Sequence, residues 1–121
     1  MTPSEIVTAF IKAIEAKDLD TAMALVAQDC EYDNVPMGKV YGIAEIRGVL
    51  DRVVDRSDLV EWVVFRQAAA GPVVFNERLD RFKIGDKLIE IPLAGVFEVT
   101  DGKITLWRDY FDLATYRDQM A

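Results

Sequence analysis

The spacing of hydrophobic residues changes from helical to strand-like about halfway along the chain. At the start, Thr2-Pro3-Ser4-Glu5 has the spacing of a helix capping box with a proline in the first turn. An apolar stripe at helical spacing follows, made of Ile6, Phe10, Ile11 and Ile14. The pattern therefore predicts a first helix that begins at this box and ends near Ala16-Lys17.

Two further helices are predicted before the change in spacing. Asp18 or Asp20 can cap a short second helix with an inward apolar face. The inward residues of that helix are Ala22, Leu25 and Val26. A third helix is predicted over about Ile43–Val54, and its buried positions are Ile43, Ile46, Leu50 and Val53. Between them, Glu31–Gly42 contains Pro36 and two glycines, so we expect this segment to be irregular.

After Ser57 the apolar residues alternate with polar ones, as in β-strands. The predicted strands are Val60–Ala69, Pro72–Ile84, Lys87–Val99 and Lys103–Leu113. Tight turns are indicated by Gly85-Asp86 and Asp101-Gly102. Strands of this length must bend to enclose a core, and Pro92 and Gly95 are predicted bend or bulge positions.

Helices followed by antiparallel strands are typical of an α+β fold, in which the helices cover one face of a sheet. We predict one domain, residues 1–121, in which a cone-shaped, curved antiparallel sheet packs against N-terminal helices. Such a cone encloses a deep pocket. With 121 residues, the chain is too short for a cofactor domain together with a substrate domain.

Charge and composition exclude several functions. The net charge of −7 disfavours binding to nucleic acid, which depends on clustered Lys and Arg. No apolar run reaches the length of about 18 residues that crosses a membrane, and the first residues read as a polar helix start. The single cysteine, Cys30, agrees with a reducing compartment, so we predict a cytoplasmic protein. The absence of histidine weakens a zinc or copper site and leaves only carboxylates, which suit Mg²⁺ or Ca²⁺ better. We predict neither metal nor cofactor.

Two strands carry the candidate chemistry. Alternate residues of a strand share one face, so Arg78 and Asp80 emerge side by side. Asp109 lies between Trp107 and Phe111, an apolar setting that predicts an inward carboxylate. A cation flanked by two carboxylates in an apolar cavity is an arrangement suited to acid–base chemistry and is costly to build for stability alone. The alternative interpretations are an exposed ion pair between Arg78 and Asp80 and a purely structural Asp109.

The same alternation predicts the pocket wall. Candidate substrate contacts are apolar residues of two kinds: those on the strand faces that carry Asp80 and Asp109, and those on the apolar face of the third predicted strand. These residues are Phe82, Leu93, Trp107 and Phe111. Other charged residues on these strands face the opposite way and are predicted to lie outside the site. They are Glu77, Arg81, Arg108 and Asp112. Cys30 is interpreted as a small packed residue, since no basic partner is present to activate it.

Three strings together resemble the limonene-1,2-epoxide hydrolases. They are Tyr32-Asp33-Asn34-Val35-Pro36, Glu77-Arg78-Leu79-Asp80-Arg81-Phe82 and Trp107-Arg108-Asp109-Tyr110-Phe111-Asp112-Leu113. These enzymes belong to the nuclear-transport-factor-2-like superfamily, also called ketosteroid-isomerase-like, and the resemblance covers most of the chain. It implies hydrolysis of a small apolar epoxide, such as a terpene or cycloalkene oxide, to a vicinal diol without a covalent enzyme intermediate.

The resemblance also implies a role for each matching residue. Asp109 takes a proton from water, Tyr32 and Asn34 hold that water, Asp80 protonates the epoxide oxygen and Arg78 bridges the two carboxylates. The residues agree with this scheme, because an ionised Asp109, a neutral Asp80 and a cationic Arg78 sum to zero charge in a dry pocket. Asp33 points away from the water-holding side chains and receives no role.

The sequence leaves two rival functions open. The first is an isomerase or polyketide-cyclase-like enzyme on the same cone, and the second is a binding module for small ligands without catalysis. We also expect a homodimer, because the outer face of a curved sheet usually needs covering. Trp62, Val63 and Phe65 on the first predicted strand are the candidate interface residues.

Overall fold

The first helix is fixed by its capping box. Helix α1 (Pro3–Glu15) begins after Thr2, whose hydroxyl accepts a hydrogen bond from the Glu5 amide at 3.2 Å, while the Glu5 carboxylate accepts one from the Thr2 amide at 2.8 Å. These reciprocal bonds satisfy amide groups that the first turn leaves without partners. The helix ends at Ala16, as the sequence predicts.

In the computed structural model, which describes residues 1–121, four helices pack against one curved, unclosed six-stranded sheet. The other helices are α2 (Leu19–Met23), α3 (Gly42–Val54) and α4 (Leu113–Met120). The strands are β1 (Val26–Asn34), β2 (Gly38–Tyr41), β3 (Leu59–Ala70), β4 (Val73–Ile84), β5 (Lys87–Thr100) and β6 (Lys103–Phe111). The α+β prediction is confirmed. None of the helices is both long enough and apolar enough to span a membrane.

The strand order is β2-β1-β6-β5-β4-β3, and only the β1–β6 pair is parallel. Arg78 lies opposite Leu93 on β5, while Gly95 of β5 lies opposite Asp109 of β6. Asn34 of β1 lies on the other side of Asp109. This order places the inner faces of four neighbouring strands, β1, β6, β5 and β4, around one point.

Helices α1, α2 and α3 cover the inner face of the sheet and form the main hydrophobic core with it. A second, smaller cluster lies toward the far end of β4 and β5, beneath α4. Its buried members are Phe82, Ile89, Ile91 and Leu93. The site described below lies between these two clusters.

The prediction of an irregular Glu31–Gly42 segment is wrong. It contains the end of β1 and all of β2. Polar residues interrupt the strand pattern of β1, whose burial does not alternate, and the parallel pairing with β6 supplies the order that local sequence does not. The second helix also ends earlier than predicted. Val26 pairs with Ile104 of β6 and therefore begins β1 instead of continuing α2.

The predicted last strand also ends too late. It stops at Phe111 because the Asp112 carboxylate accepts a hydrogen bond from the Thr115 amide at 3.1 Å and thereby caps α4, a helix that the sequence pattern did not predict. Helix α4 has no fully buried residue, so it lacks the apolar stripe that reveals α1 and α3.

Pro92 and Gly95 were predicted to be bend or bulge positions, and neither is a bulge. The register shifts lie between Val26 and Glu31 on β1, at Phe65 on β3 and at Thr105 on β6, whereas Pro92 and Gly95 pair regularly. Proline is tolerated in this inner strand because β6 pairing ends at Leu93, so the missing N–H of Pro92 faces a side without a strand partner.

Candidate active site

A fully buried arginine forms the centre of the site. Arg78 has an exposed fraction of 0% and lies on the inner face of β4. Its Nε and Nη2 donate to the two carboxylate oxygens of Asp80, both at 3.0 Å, and Nη2 also donates to Oδ2 of Asp109 at 3.1 Å. The guanidinium carbon lies 4.8 Å from the ring centre of Trp62, so a cation–π contact supports its charge. One cation therefore fixes both acids.

Asp109 is held from the opposite side by Trp107. The indole Nε1 donates to Asp109 Oδ1 at 2.9 Å, while Oδ2 is the oxygen that faces Arg78. Both residues lie on the inner face of β6, two positions apart, as strand alternation predicts. The carboxylate is therefore pre-oriented by two donors.

Tyr32 and Asn34 approach Asp109 from the neighbouring parallel strand. Asn34 is the register partner of Asp109, and Tyr32 that of Trp107. The Tyr32 ring stacks on the Trp107 ring, with centres 3.7 Å apart and planes within 7°. The Tyr32 hydroxyl donates to Asn34 Oδ1 at 3.0 Å, which turns the Asn34 amide nitrogen away from the tyrosine. The sequence prediction that these two side chains face the same way is confirmed.

Burial and charge set the protonation of the site. Burial raises the pKa of Asp80 to about 6, with Arg78 opposing and the charge of Asp109 reinforcing the rise. Although burial disfavours its charge, the carboxylates of Asp109 and Asp80 raise the pKa of Arg78 above its ordinary value, so it stays cationic. Burial and then the charge of Asp109 raise the pKa of Tyr32 well above its ordinary value, so the phenol stays neutral.

A cavity of about 200 Å³ lies in front of these groups. Polar side chains that reach it are Tyr32, Asn34, Asp80 and Asp109, with Arg52 and Arg56 also on its lining. Most of the wall is apolar. Arg78 lies behind the acids and does not reach the cavity.

Three of the four predicted wall residues, Phe82, Leu93 and Phe111, line this cavity. Trp107 does not, because its ring is enclosed between those of Tyr32 and Phe97 in the core. The prediction that Trp107 contacts the substrate is therefore not supported by its position. Trp107 instead donates to Asp109 and packs against Tyr32.

The sequence reasoning missed several groups around the cavity. Helix α3 contributes Leu50, Val53 and Val54, and α4 contributes Tyr116. The helical spacing of the α3 residues marks them as inward-facing, but nothing local shows that part of that face borders a cavity. The prediction that Trp62 belongs to a dimer interface on the outer face is wrong. Trp62 lies on the inner face, is only 7% exposed and packs against Arg78.

Charged residues that were predicted to face away do lie outside the site. They are Glu77, Arg81, Arg108 and Asp112. Arg81 pairs with Glu61 at 2.7 Å and Glu90 at 2.9 Å, and Arg108 pairs with Glu31 at 2.9 Å. Cys30 is buried in β1, and burial raises its pKa to about 12, which agrees with a packing role.

No group of three or more His, Cys, Asp or Glu side chains in the structure is arranged to hold a metal ion. The carboxylates of Asp80 and Asp109 already accept hydrogen bonds on both oxygens from Arg78 and Trp107. The donors that surround them are suited to orienting carboxylates.

Residues 1–121, the whole chain, match the family of limonene-1,2-epoxide hydrolase catalytic domains. The chain belongs to this family of epoxide hydrolases. Epoxide hydrolase EphG of Mycobacterium tuberculosis is 39% identical over 107 residues, which are 88% of this chain and 71% of that protein. A solved structure of an LEH-like epoxide hydrolase from M. tuberculosis superposes with a TM-score of 0.85 at 36% identity, covering 95% of this chain and 86% of that one.

The same fold occurs in proteins of different description. A candidate polyketide cyclase from Xanthomonas campestris pv. campestris superposes with a TM-score of 0.86 at 22% identity, covering 98% of this chain and 96% of that one. At this identity the likeness establishes the shared cone fold and nothing about the reaction.

Proposed function

We propose that the protein adds water to a small, mostly apolar epoxide and releases a vicinal diol, without cofactor and without a covalent enzyme intermediate. The observation that carries this proposal is the single guanidinium of Arg78, which donates to both Asp80 and Asp109 at the edge of an apolar cavity. Opening an epoxide with water requires a base for the water and an acid for the leaving oxygen at the same time. A shared cation between two carboxyl groups supports such a pair.

The attacking water is positioned by three residues. Because the Tyr32 hydroxyl donates to Asn34 Oδ1, its own oxygen remains free to accept, and the Asn34 amide nitrogen remains free to donate. A water in front of Asp109 can therefore donate to that carboxylate and to Tyr32 while it accepts from Asn34. One lone pair of this water is left for the epoxide carbon.

The proton balance closes within the pair. Asp109 takes a proton as the water oxygen bonds to the epoxide carbon, and Asp80 gives its proton to the ring oxygen as the carbon–oxygen bond breaks. Asp80 is then ionised and Asp109 neutral, so the charge of the site, including Arg78, does not change during the reaction. Return of one proton from Asp109 to Asp80 restores the starting state.

The cavity sets the class of substrate. About 200 Å³ of largely apolar space suits a compact molecule such as a terpene or cycloalkene oxide. Phe82, Leu93 and Phe111 lie on the wall near the acids. We propose that they contact the hydrocarbon part of the substrate.

We further propose that the protein is a homodimer through the outer face of its sheet. This face exposes large apolar side chains, including Phe65 at 56%, Phe75 at 50% and Tyr110 at 47%. Exposed apolar patches of this kind mark protein interfaces. Sedimentation equilibrium of wild type and Phe75→Lys tests the proposal. We expect a dimer that the lysine dissociates, and a monomeric wild type contradicts it.

Turnover of cyclic and terpene epoxides in ¹⁸O-labelled water tests the reaction. We expect a diol with one labelled oxygen even in the first turnover, because water attacks directly. Asp80→Asn and Asp109→Asn should be folded and inactive. Asp33→Asn is the matched control, since Asp33 is also a buried acid, but on the opposite face of β1.

Other outcomes discriminate between the rivals. An isomerase or cyclase incorporates no solvent oxygen into its product, and a binding module retains ligand binding in both variants without any turnover. Diol formation that persists in Asp80→Asn and Asp109→Asn means that the reaction is correct and the assigned pair is wrong.

A further inference from the structure

The buried guanidinium has a fourth hydrogen bond on the side away from Asp80. Nη1 of Arg78 donates to Oδ1 of Asn76 at 3.0 Å. Asn76 precedes Arg78 by two positions on the same inner face of β4 and is only 5% exposed. It does not line the cavity, so it can affect a reaction there only through Arg78.

Chemistry fixes the orientation of the Asn76 amide. A guanidinium only donates, so the oxygen of Asn76 must face Arg78 and its nitrogen must face the other way. That nitrogen donates to Oε1 of Gln67 on β3 at 3.1 Å. The nitrogen of Gln67 then donates to the Ser4 carbonyl at 3.1 Å, to the Ser4 hydroxyl at 2.7 Å and to the Thr8 hydroxyl at 3.2 Å.

These bonds form one directed chain from Arg78 to the start of α1. Each donor nitrogen along it has at least one acceptor, and the far end is a backbone carbonyl, which can only accept. Reversing either amide would place two donors or two acceptors against each other. The chain therefore holds the guanidinium against rotation relative to α1.

The strand behind the chain leaves little freedom. A Cβ on Gly95 would lie 2.5 Å from Arg78 Nη1 and 2.7 Å from Asn76 Oδ1. The amide and the guanidinium therefore lie directly against the β5 backbone. A displaced guanidinium cannot move into space on that side.

The neutrality of Asn76 matters as much as its shape. Arg78 already faces two carboxylates, and a third would leave one cation among three acids. The amide accepts a hydrogen bond without adding charge, so the ionisation of Asp80 is governed by its burial and by the charges of Arg78, Asp109 and, to a smaller extent, Glu15, with no contribution of charge from position 76.

We propose that Asn76 is a positioning residue, oriented by Gln67, that holds Arg78 in the geometry in which it bridges Asp80 and Asp109. Its contribution to turnover rests on the proposed function. Its effect on Arg78 does not, and this allows the two ideas to be tested separately.

Asn76→Asp tests the charge argument. A third carboxylate makes Asp80 harder to ionise, so we expect the alkaline limb of the kcat/KM profile to move to higher pH. Asn76→Ala tests the positioning argument: kcat should fall by up to roughly 100-fold, the scale of a misplaced catalytic group, while KM stays unchanged. Gln67→Ala keeps the Arg78–Asn76 pair and should lower kcat less, which keeps the test valid if Asn76→Ala does not fold.

A structural readout accompanies the kinetics. In wild type the Arg78 Nε–H should exchange slowly with solvent in ¹⁵N NMR spectra, and exchange should accelerate in Asn76→Ala and Gln67→Ala. Gln28→Ala, which changes an exposed amide on β1, is the control and should match wild type in exchange and in kcat.

The two ideas fail in different ways. If wild type forms no diol, the proposed function is wrong, while Arg78 exchange still decides the role of Asn76. If wild type turns over but the Asn76 variants keep its pH profile, its kcat and its Arg78 exchange rate, the positioning role is wrong and the proposed function stands.

Discussion

Gly95→Ala adds one methyl group at the point where the β5 backbone touches the site. The new Cβ would lie 2.5 Å from Arg78 Nη1, 2.7 Å from Asn76 Oδ1 and 3.2 Å from Asp109 Oδ1. None of these atoms can yield easily. Arg78 is held by hydrogen bonds to Asn76 and both acids. The Trp62 ring lies against the guanidinium and blocks its movement in that direction.

The expected magnitude follows from these distances. Ordinary van der Waals contact for such atoms begins near 3.4 Å, so the guanidinium must move by about 1 Å. A displacement of that size costs about 100-fold in turnover when it separates catalytic groups. Overpacking of this kind also lowers the free energy of unfolding by about 1–3 kcal/mol.

The assay compares initial rates of diol formation with unfolding in urea. Gly48→Ala is the matched control, because a Cβ at Gly48 in α3 meets nothing within 4 Å. That substitution should stabilise the protein by about 0.5–1 kcal/mol, since alanine is preferred inside helices, and should leave the rate unchanged. Wild-type turnover in a stable Gly95→Ala protein would refute the close packing of β5 against Arg78.

Three further predictions concern protonation and support of the acids. In the proposed mechanism Asp80 acts in its protonated form, and burial raises its pKa to about 6, so kcat/KM should fall about tenfold per pH unit above that value. A profile that stays flat up to about pH 9 contradicts this. Trp107→Phe keeps an aromatic ring against Tyr32 but removes the donor to Asp109, so urea unfolding should show a loss of about 1.5–3 kcal/mol and kcat should fall. Arg78→Met leaves two buried carboxylates without their cation, so the free energy of unfolding should fall by about 3–5 kcal/mol at neutral pH. The loss should be smaller in acid, where Asp80 is protonated, and equal losses at both pH values contradict this.

Local sequence predicted those parts of the site that depend on strand alternation. Residues two apart on β4 and β6 share a face, and this placed Arg78 beside Asp80 and turned Asp109 inward. The same rule separates Trp62 from Val63 and Phe65, but both faces of β3 carry apolar residues, so alternation alone does not show which face is inside. Asn76 also shares the face of Arg78, but its role depends on Gln67 and Ser4, which are distant in sequence.

The pairing of segments that are distant in sequence could not be predicted from the local residue pattern. The parallel contact between β1 and β6 brings Asn34 to Asp109, yet nothing in the Glu31–Gly42 segment marks it as a strand that continues past polar residues. Helix α4 was missed for a related reason: it buries no complete side chain, and its docking depends on Gln119, which bonds to both the amide and the carbonyl of Glu90. These bonds satisfy the β5 edge beyond the end of β6.

In the proposed mechanism, the reaction depends on Arg78 and its partners more than on the cone. A candidate polyketide cyclase superposes on this chain as well as the LEH-like epoxide hydrolase does, so the fold does not select the chemistry. Proton transfer beside a carbonyl needs one base and one donor to an oxyanion, and a cation fixed between two acids would hold the second acid to no purpose. Adding water across a strained ring needs acid and base together, and in the proposed mechanism both are carboxyl groups. In the proposed mechanism, the cation that Asp80 and Asp109 share, supported on its remaining side by a neutral amide, allows these two groups to lie close together, one protonated and one ionised, at the edge of an apolar cavity.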